Sequence, residues 1–196
     1  MHRSLTKNQD KKLNKFIDLA LEFNKTHNIF VRKNKDEVIK KDFKDCLPLF
    51  KIIKDGQSVI DLGSGGGFPG MLLAIVKPNS KINLLESSIK KCFFLRTTIE
   101  KLSLTNTKVI NETIKENNHI GVFDVITARA FASTKKIITL TKNNTHKNSR
   151  YVLLKGRKKT IEEELNDIDK NQYICEIIEQ DTKKYERNII LIKKNE

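Results

Sequence analysis

Tryptophan is absent from this 196-residue chain, and proline occurs only three times. The first absence excludes a ligand site built on indole rings, and the second leaves few forced breaks in helices or strands. The longest apolar stretch, Phe68 to Val76, contains Pro69 and Gly70. It is well short of the ~20 residues that a membrane helix needs. The beginning, MHRSLTKNQDKK, has no apolar centre, so no secretory signal is expected. The cysteines, Cys46, Cys92 and Cys175, are odd in number and far apart, which suits free thiols in a reducing, cytoplasmic setting. No pair among His2, His27, His119 and His146 has ligand spacing, so no metal site is expected. Acid is also missing from one long interval. Between Asp124 and Glu162 the only charged residues are Arg129, Lys135, Lys136, Lys142, Lys147, Arg150, Lys155, Arg157, Lys158 and Lys159, in a chain whose net charge is +14. A block of one sign attracts polyanions, although a solvated lysine-rich face has the same composition.

What is present is an alternation of two textures. Residues 9–25 space Leu13, Phe16, Ile17, Ala20 and Leu21 as an amphipathic helix. Residues 35–53 repeat that pattern, with Pro48 bending or dividing the helix and Asp55-Gly56 ending it. Beyond Gly56 come short β-branched runs at 58–62, 82–85, 109–110, 122–127, 151–154, 173–178 and 189–192. Helix-like stretches lie near 69–76, 88–103, 113–118, 133–141 and 159–169. Strands alternating with helices predict an α/β fold with a mostly parallel sheet covered on both faces. The last two strands, joined by charged residues alone, predict an antiparallel edge hairpin. Residues 1–54 are expected to form a helical extension packed on a Rossmann-like core of residues 55–196, making one structural domain.

The segment VIDLGSGGGFPG, Val59 to Gly70, carries the most information. A buried strand runs into a glycine loop, and a helix opens at Pro69, a residue suited to a first turn. Glycines here let a ligand approach the backbone, and the N–H groups of the helix start face it. In a doubly wound sheet this junction holds an adenosine-containing cofactor. Gly65, Gly67 and Gly70 satisfy GxGxxG, the dinucleotide register, which is weak in isolation. Against it, Gly63 and Ser64 separate that register from the strand, and Asp61 would stand near a pyrophosphate. An acid there suits a cationic ligand such as S-adenosylmethionine. The spacing Asp61, Gly63, Gly65, Gly67 resembles the first motif of class I methyltransferases. Glu86, at the end of the second strand, is placed to accept hydrogen bonds from ribose hydroxyls, or else to stabilise the next helix start beside Ser87 and Ser88.

The acceptor is narrowed by what the fourth strand offers. Exocyclic-amine methyltransferases usually have an Asn/Asp-Pro-Pro-aromatic tetrapeptide there, where this chain reads Ala128-Arg129-Ala130-Phe131-Ala132. Pyrimidine C5 chemistry needs a cysteine nucleophile, and none is suitably placed. Guanine N7 already presents a lone pair and needs only to be held in line, an effect worth roughly 7–11 kcal/mol.

Together VIDLGSGGGFPGMLLAIVKP (59–78), LLESSIKKCFFLR (84–96), FDVITARAFAS (123–133), LLKG (153–156) and ERNIILIKK (186–194) resemble bacterial small-subunit ribosomal RNA methyltransferase G, the glucose-inhibited division protein B family. The resemblance covers residues 15–194. It implies transfer of methyl from S-adenosylmethionine to N7 of a guanine in 16S rRNA, with the small subunit or its assembly intermediate as partner. It also implies no membrane association; a monomer is expected. Carried over by position, the cofactor site would include Gly63, Phe68, Ile114, Lys115 and Arg129, with Glu86 at the ribose, and the loop motif adds Asp61, Gly65 and Gly67. Arg129 and Lys155 are the expected catalytic positions, and Lys155, Arg157, Lys158 and Arg187 the expected RNA contacts. The chain departs from the family's His-x-x-Asp-Ser at Asp42 and Cys46, from its usual Thr at Phe30, and from its usual residues at Thr113 and Lys115. A small-molecule or protein methyltransferase, or an RNA-binding protein with a vestigial pocket, are the alternative readings.

Overall fold

The computed structural model describes residues 5–180 and 186–195. The start of the N-terminal extension and most of the connection between the last two strands lie outside them. Helix α1 (Lys7–His27) begins at a capping box between Thr6 and Gln9 and ends on Asn28 in the left-handed region. Its buried stripe is Leu13, Phe16, Ile17 and Ala20. The second helical stretch is α2 (Lys35–Val38), a π-helical turn (Ile39–Phe43) and α3 (Lys44–Cys46). A break at Leu47-Pro48 precedes α4 (Leu49–Ile52).

Seven strands follow: β1 (Ser58–Leu62), β2 (Lys81–Leu85), β3 (Thr107–Ile110), β4 (Phe123–Arg129), β5 (Thr145–Lys155), β6 (Tyr173–Gln180) and β7 (Arg187–Lys194). They form one sheet in the order β3-β2-β1-β4-β5-β7-β6. The first five pair in parallel, and β7 runs antiparallel to both β5 and β6. Helices α5 (Gly70–Val76), α6 (Ile89–Lys101), α7 (Thr134–Thr141) and α8 (Lys158–Asn166) complete the fold. The reversal of strand order between β1 and β4 opens a crevice at the carboxyl ends of the strands, where ligands bind in such sheets.

Apolar side chains divide between the two faces of the sheet. Val59, Ile82, Val125, Val152 and Ile189 share one core with α1, α5 and α6, including Phe16, Met71 and Leu95. Ile60, Ile126, Tyr151, Leu153 and Ile190 share the other with Ile137 of α7 and Ile161 of α8. The helix expected at 113–118 is not formed. Asn118 folds this segment into a turn: its Oδ1 accepts from the Lys115 N–H at 2.7 Å, and its Nδ2 donates to Glu112 at 2.9 Å. Asparagine side chains compete in this way with helical backbone bonding. Among the described residues no helix is long and apolar enough to cross a membrane.

Candidate functional site

The loop between β1 and α5 is held by its own backbone and by two acids. Gly67 N–H donates to the Ser64 carbonyl at 2.7 Å, and Ser64 N–H to the Leu85 carbonyl at 3.0 Å. Glu86 Oε2 accepts from Gly65 N–H at 2.9 Å, while its Oε1 accepts from Ser88 N–H at 2.8 Å. Glu86 thus ties the glycine loop to the start of α6. Asp61 lies beneath the loop, where Oδ2 accepts from Gly70 N–H at 3.1 Å. Burial pushes its carboxyl up to about 7, against the opposing pull of that hydrogen bond. Two glycines are demanded by geometry. At Gly67 φ is +93°, and a Cβ would meet Met71 at 2.8 Å and Phe16 at 2.9 Å. At Gly63 φ is +66°, and a Cβ would meet the Phe131 ring at 2.6 Å.

This loop forms one wall of a cleft of about 470 Å³, within the range of small-molecule sites. Its lining includes Gly63, Gly65, Phe68, Arg129, Lys155 and Arg187 of the expected site residues. Residues that precede β1 close it: Ile29, Phe30 and Arg32 from the connection between α1 and α2, Lys41 from the π-helical turn and Asp45 from α3. Five cationic side chains and one carboxylate line the cleft, and each cation is itself ion-paired: Arg32 and Arg129 with Asp42, Lys41 with Glu37, Lys155 with Glu164 and Arg187 with Asp45. Asp61, Gly67 and Glu86 support the loop without lining that cavity. Ile114 is buried in the second core. Lys115 is exposed on the turn made by Asn118. Arg157 and Lys158 stand apart as well, on a separate groove with Glu162, Glu179 and Arg187. Lys158 forms an ion pair with Glu179.

Arg129 and Lys155 end neighbouring strands but project to opposite faces. Arg129 follows Val125 in alternation and so points toward the α1 side, with its guanidinium 5.6 Å from the Phe68 ring centre. Lys155 follows Leu153 and points toward α8. Its Nζ donates at 2.8 Å to both Glu164 and the Ala132 carbonyl. Burial would raise the Glu164 carboxyl, but Lys155 and Thr134 overcome this and hold it below the usual value. Sequence reasoning gave no role to Asp42, which is 2% exposed and sits directly on Arg129. It falls on the buried stripe Val38, Asp42, Cys46, Leu49, so an acid on an apolar helix face was the available signal. Asp45, on the same stretch, accepts from Arg187 Nε at 2.9 Å; burial still raises its carboxyl. Cys46 is fully buried and its thiol is driven up, so it is no nucleophile. Ala130 at φ +52° is a strained non-glycine position, and it turns Phe131 over Gly63.

The topology, the glycine loop and the acid after β2 define a class I methyltransferase that uses S-adenosylmethionine. Solved structures of that fold agree. A SAM-dependent methyltransferase from Aquifex aeolicus superposes with TM-score 0.62 at 15% identity, covering 81% of this chain and 93% of that one. A tRNA methyltransferase from B. subtilis gives 0.60 at 15% identity, covering 78% and 66%. The chain belongs to the rRNA small subunit methyltransferase G family, whose model matches residues 9–192. The ribosomal RNA small subunit methyltransferase G of Brachyspira hyodysenteriae is 36% identical over 193 residues, 96% of this chain and 92% of that protein. The protein of the same name from Francisella tularensis subsp. novicida is 38% identical over 142 residues, 72% and 68% of the two chains. The chain is thus an S-adenosylmethionine-dependent rRNA methyltransferase.

Proposed function

We propose that the cleft between the glycine loop and Arg129 is where this chain methylates N7 of a guanine in 16S rRNA, in the small subunit or its assembly intermediate. The observation that carries the reading is the convergence of Arg32, Lys41, Arg129, Lys155 and Arg187 on the cavity walled by Gly63 and Gly65. Basic side chains, each braced by a carboxylate, thus stand beside a loop open to a cofactor. S-adenosylmethionine, when bound, supplies an electrophilic methyl group. Gly65 suits its approach, since a Cβ there has nothing nearer than the Gly63 carbonyl oxygen at 3.6 Å. Glu86 retains acceptor capacity for ribose hydroxyls, because each of its oxygens takes one backbone donor and a carboxylate oxygen accepts more than one. Ile114 and Lys115 remain candidates for the adenine side.

Guanine N7 fits the chemistry that these side chains offer. The carboxylate facing the cleft, Asp45, is engaged by Arg187. Neither it nor the buried Cys46 need act as a base or nucleophile, since N7 has no proton to lose. The work of the chain is therefore positioning, with Arg129 and Lys155 at the strand ends and Arg157, Lys158 and Arg187 extending the basic surface. The segment 29–45 completes the cleft, with Phe30 and Arg32 from the connection after α1 and Asp45 from α3. The test supplies methyl-labelled S-adenosylmethionine with naked 16S rRNA, small subunits and assembly intermediates, then maps N7-methylguanine by chain cleavage. Label at one guanine N7 is expected. Label at another base atom, or none on any RNA form, would overturn the reading.

A further inference from the structure

Asp42 is the most heavily engaged buried acid outside the glycine loop. Its Oδ2 accepts from Arg32 Nε at 2.6 Å, and its Oδ1 accepts from Arg32 Nη2 at 3.0 Å and from Arg129 Nη1 at 2.6 Å. Two guanidiniums that would repel each other therefore share one carboxylate. The π-helical turn Ile39–Phe43 carries this acid, and such turns recur at functional sites. The turn lies over the carboxyl end of β4 on the face to which strand alternation sends Arg129. The Arg129 guanidinium is thus fixed twice, by the Phe68 ring at 5.6 Å and by Asp42 at one nitrogen. Its remaining N–H groups are left for the cleft that it lines. Burial alone would weaken the Arg129 cation, but the Asp42 carboxylate, through its charge and its hydrogen bond, and Asp45 oppose this and keep the group charged.

We infer that Asp42 is a positioning residue for methyl transfer, which holds the Arg129 guanidinium at the cleft through the shared Arg32–Asp42–Arg129 contact. It touches neither cofactor nor RNA itself. The inference rests on the reading of Arg129 as a residue of the reaction site. It goes beyond family membership, because it is argued from the Arg32–Asp42–Arg129 contact alone.

The experiment is a double-mutant cycle on the intact chain, read as steady-state methylation of the RNA form that the wild type accepts. S-adenosylmethionine affinity is measured by calorimetry alongside. Asp42→Asn is expected to lower kcat at least tenfold while leaving cofactor affinity within twofold, because the glycine loop is untouched. In the Arg129→Ala background the same substitution is expected to change kcat less than twofold, since its target is gone. Unchanged kcat in Asp42→Asn, or losses that multiply in the double variant, would overturn the inference. If the Asn variant does not fold, Asp42→Ser removes the charge with less bulk and carries the same expectations. A purely structural Asp42 would lower Tm without this non-additivity. Absence of methylation by the wild type would instead sink the proposed function.

Discussion

Asp61 allows a quantitative test, because the structure gives its carboxyl an unusual titration. Burial pushes its pKa up to about 7, from 3.8 for an unburied aspartate. The folded chain therefore keeps a proton that the unfolded chain has already released between those limits. Stability changes with pH as the difference in bound protons between the unfolded and native states, and here the native state binds more. Asp61 thus makes the protein less stable as pH rises from about 4 to about 7, by about 1.4 kcal/mol per pH unit at most. Above about 7 both states are ionised and the dependence stops. Asp61→Asn removes the titration while keeping an oxygen able to accept from Gly70 N–H. Denaturant unfolding of both proteins at half-unit steps from pH 4.5 to 8.5 gives the difference curve, in which all other titrating groups cancel. The wild type should lose about 3–4 kcal/mol relative to the variant across the window. Parallel curves would refute the buried-acid reasoning. A second readout is linked to function. A cationic ligand against the loop favours the ionised form, so S-adenosylmethionine binding near pH 6.5 should release a proton. Calorimetry in buffers of different ionisation enthalpy detects that release, and Asp61→Asn should abolish it.

Three other outcomes follow from the same geometry. Gly67→Ala forces a side chain into φ +93° against Met71 and Phe16, and the strain and overpacking together should cost about 2–4 kcal/mol in denaturant unfolding. Arg129→Ala should lower turnover by about 10²-fold with a cooperative melt retained, because Asp42 keeps Arg32 as its partner; full activity would remove Arg129 from the site. RNA affinity should fall with salt, and Arg157→Ala should reduce the log–log slope by about 0.7–0.9. Lys158→Ala should change that slope less, since its ammonium already meets Glu179.

The parts of the molecule legible in the sequence are those encoded by neighbours in the chain. The glycine loop, the acid after β2 and all seven strands are local patterns of this kind. The segment at 113–118 misled because its spacing mimics a helix, whereas the hydrogen bonds of Asn118 decide its shape. The role of Asp42 was illegible for a different reason. Its partner Arg129 lies 87 residues away, and the two meet only because a π-helical turn overhangs the end of β4.

The separation of Arg129 from Lys155 shows the same limit most clearly. Both stand at carboxyl ends of adjacent parallel strands, which is all that sequence position conveys. Which face each side chain takes depends on parity along β4 and β5, and parity is normally read from alternating apolar and polar residues. These strands are buried on both faces, so Val125 and Ile126 look alike in sequence although they feed different cores. Only the register, with Arg129 opposite Leu154 rather than Lys155, resolves the ambiguity. It sends the arginine to Asp42 and the lysine to Glu164. The two cations consequently reach the cleft from opposite sides of the sheet. At the carboxyl ends of these central strands one cation is held by Asp42 and the other by Glu164.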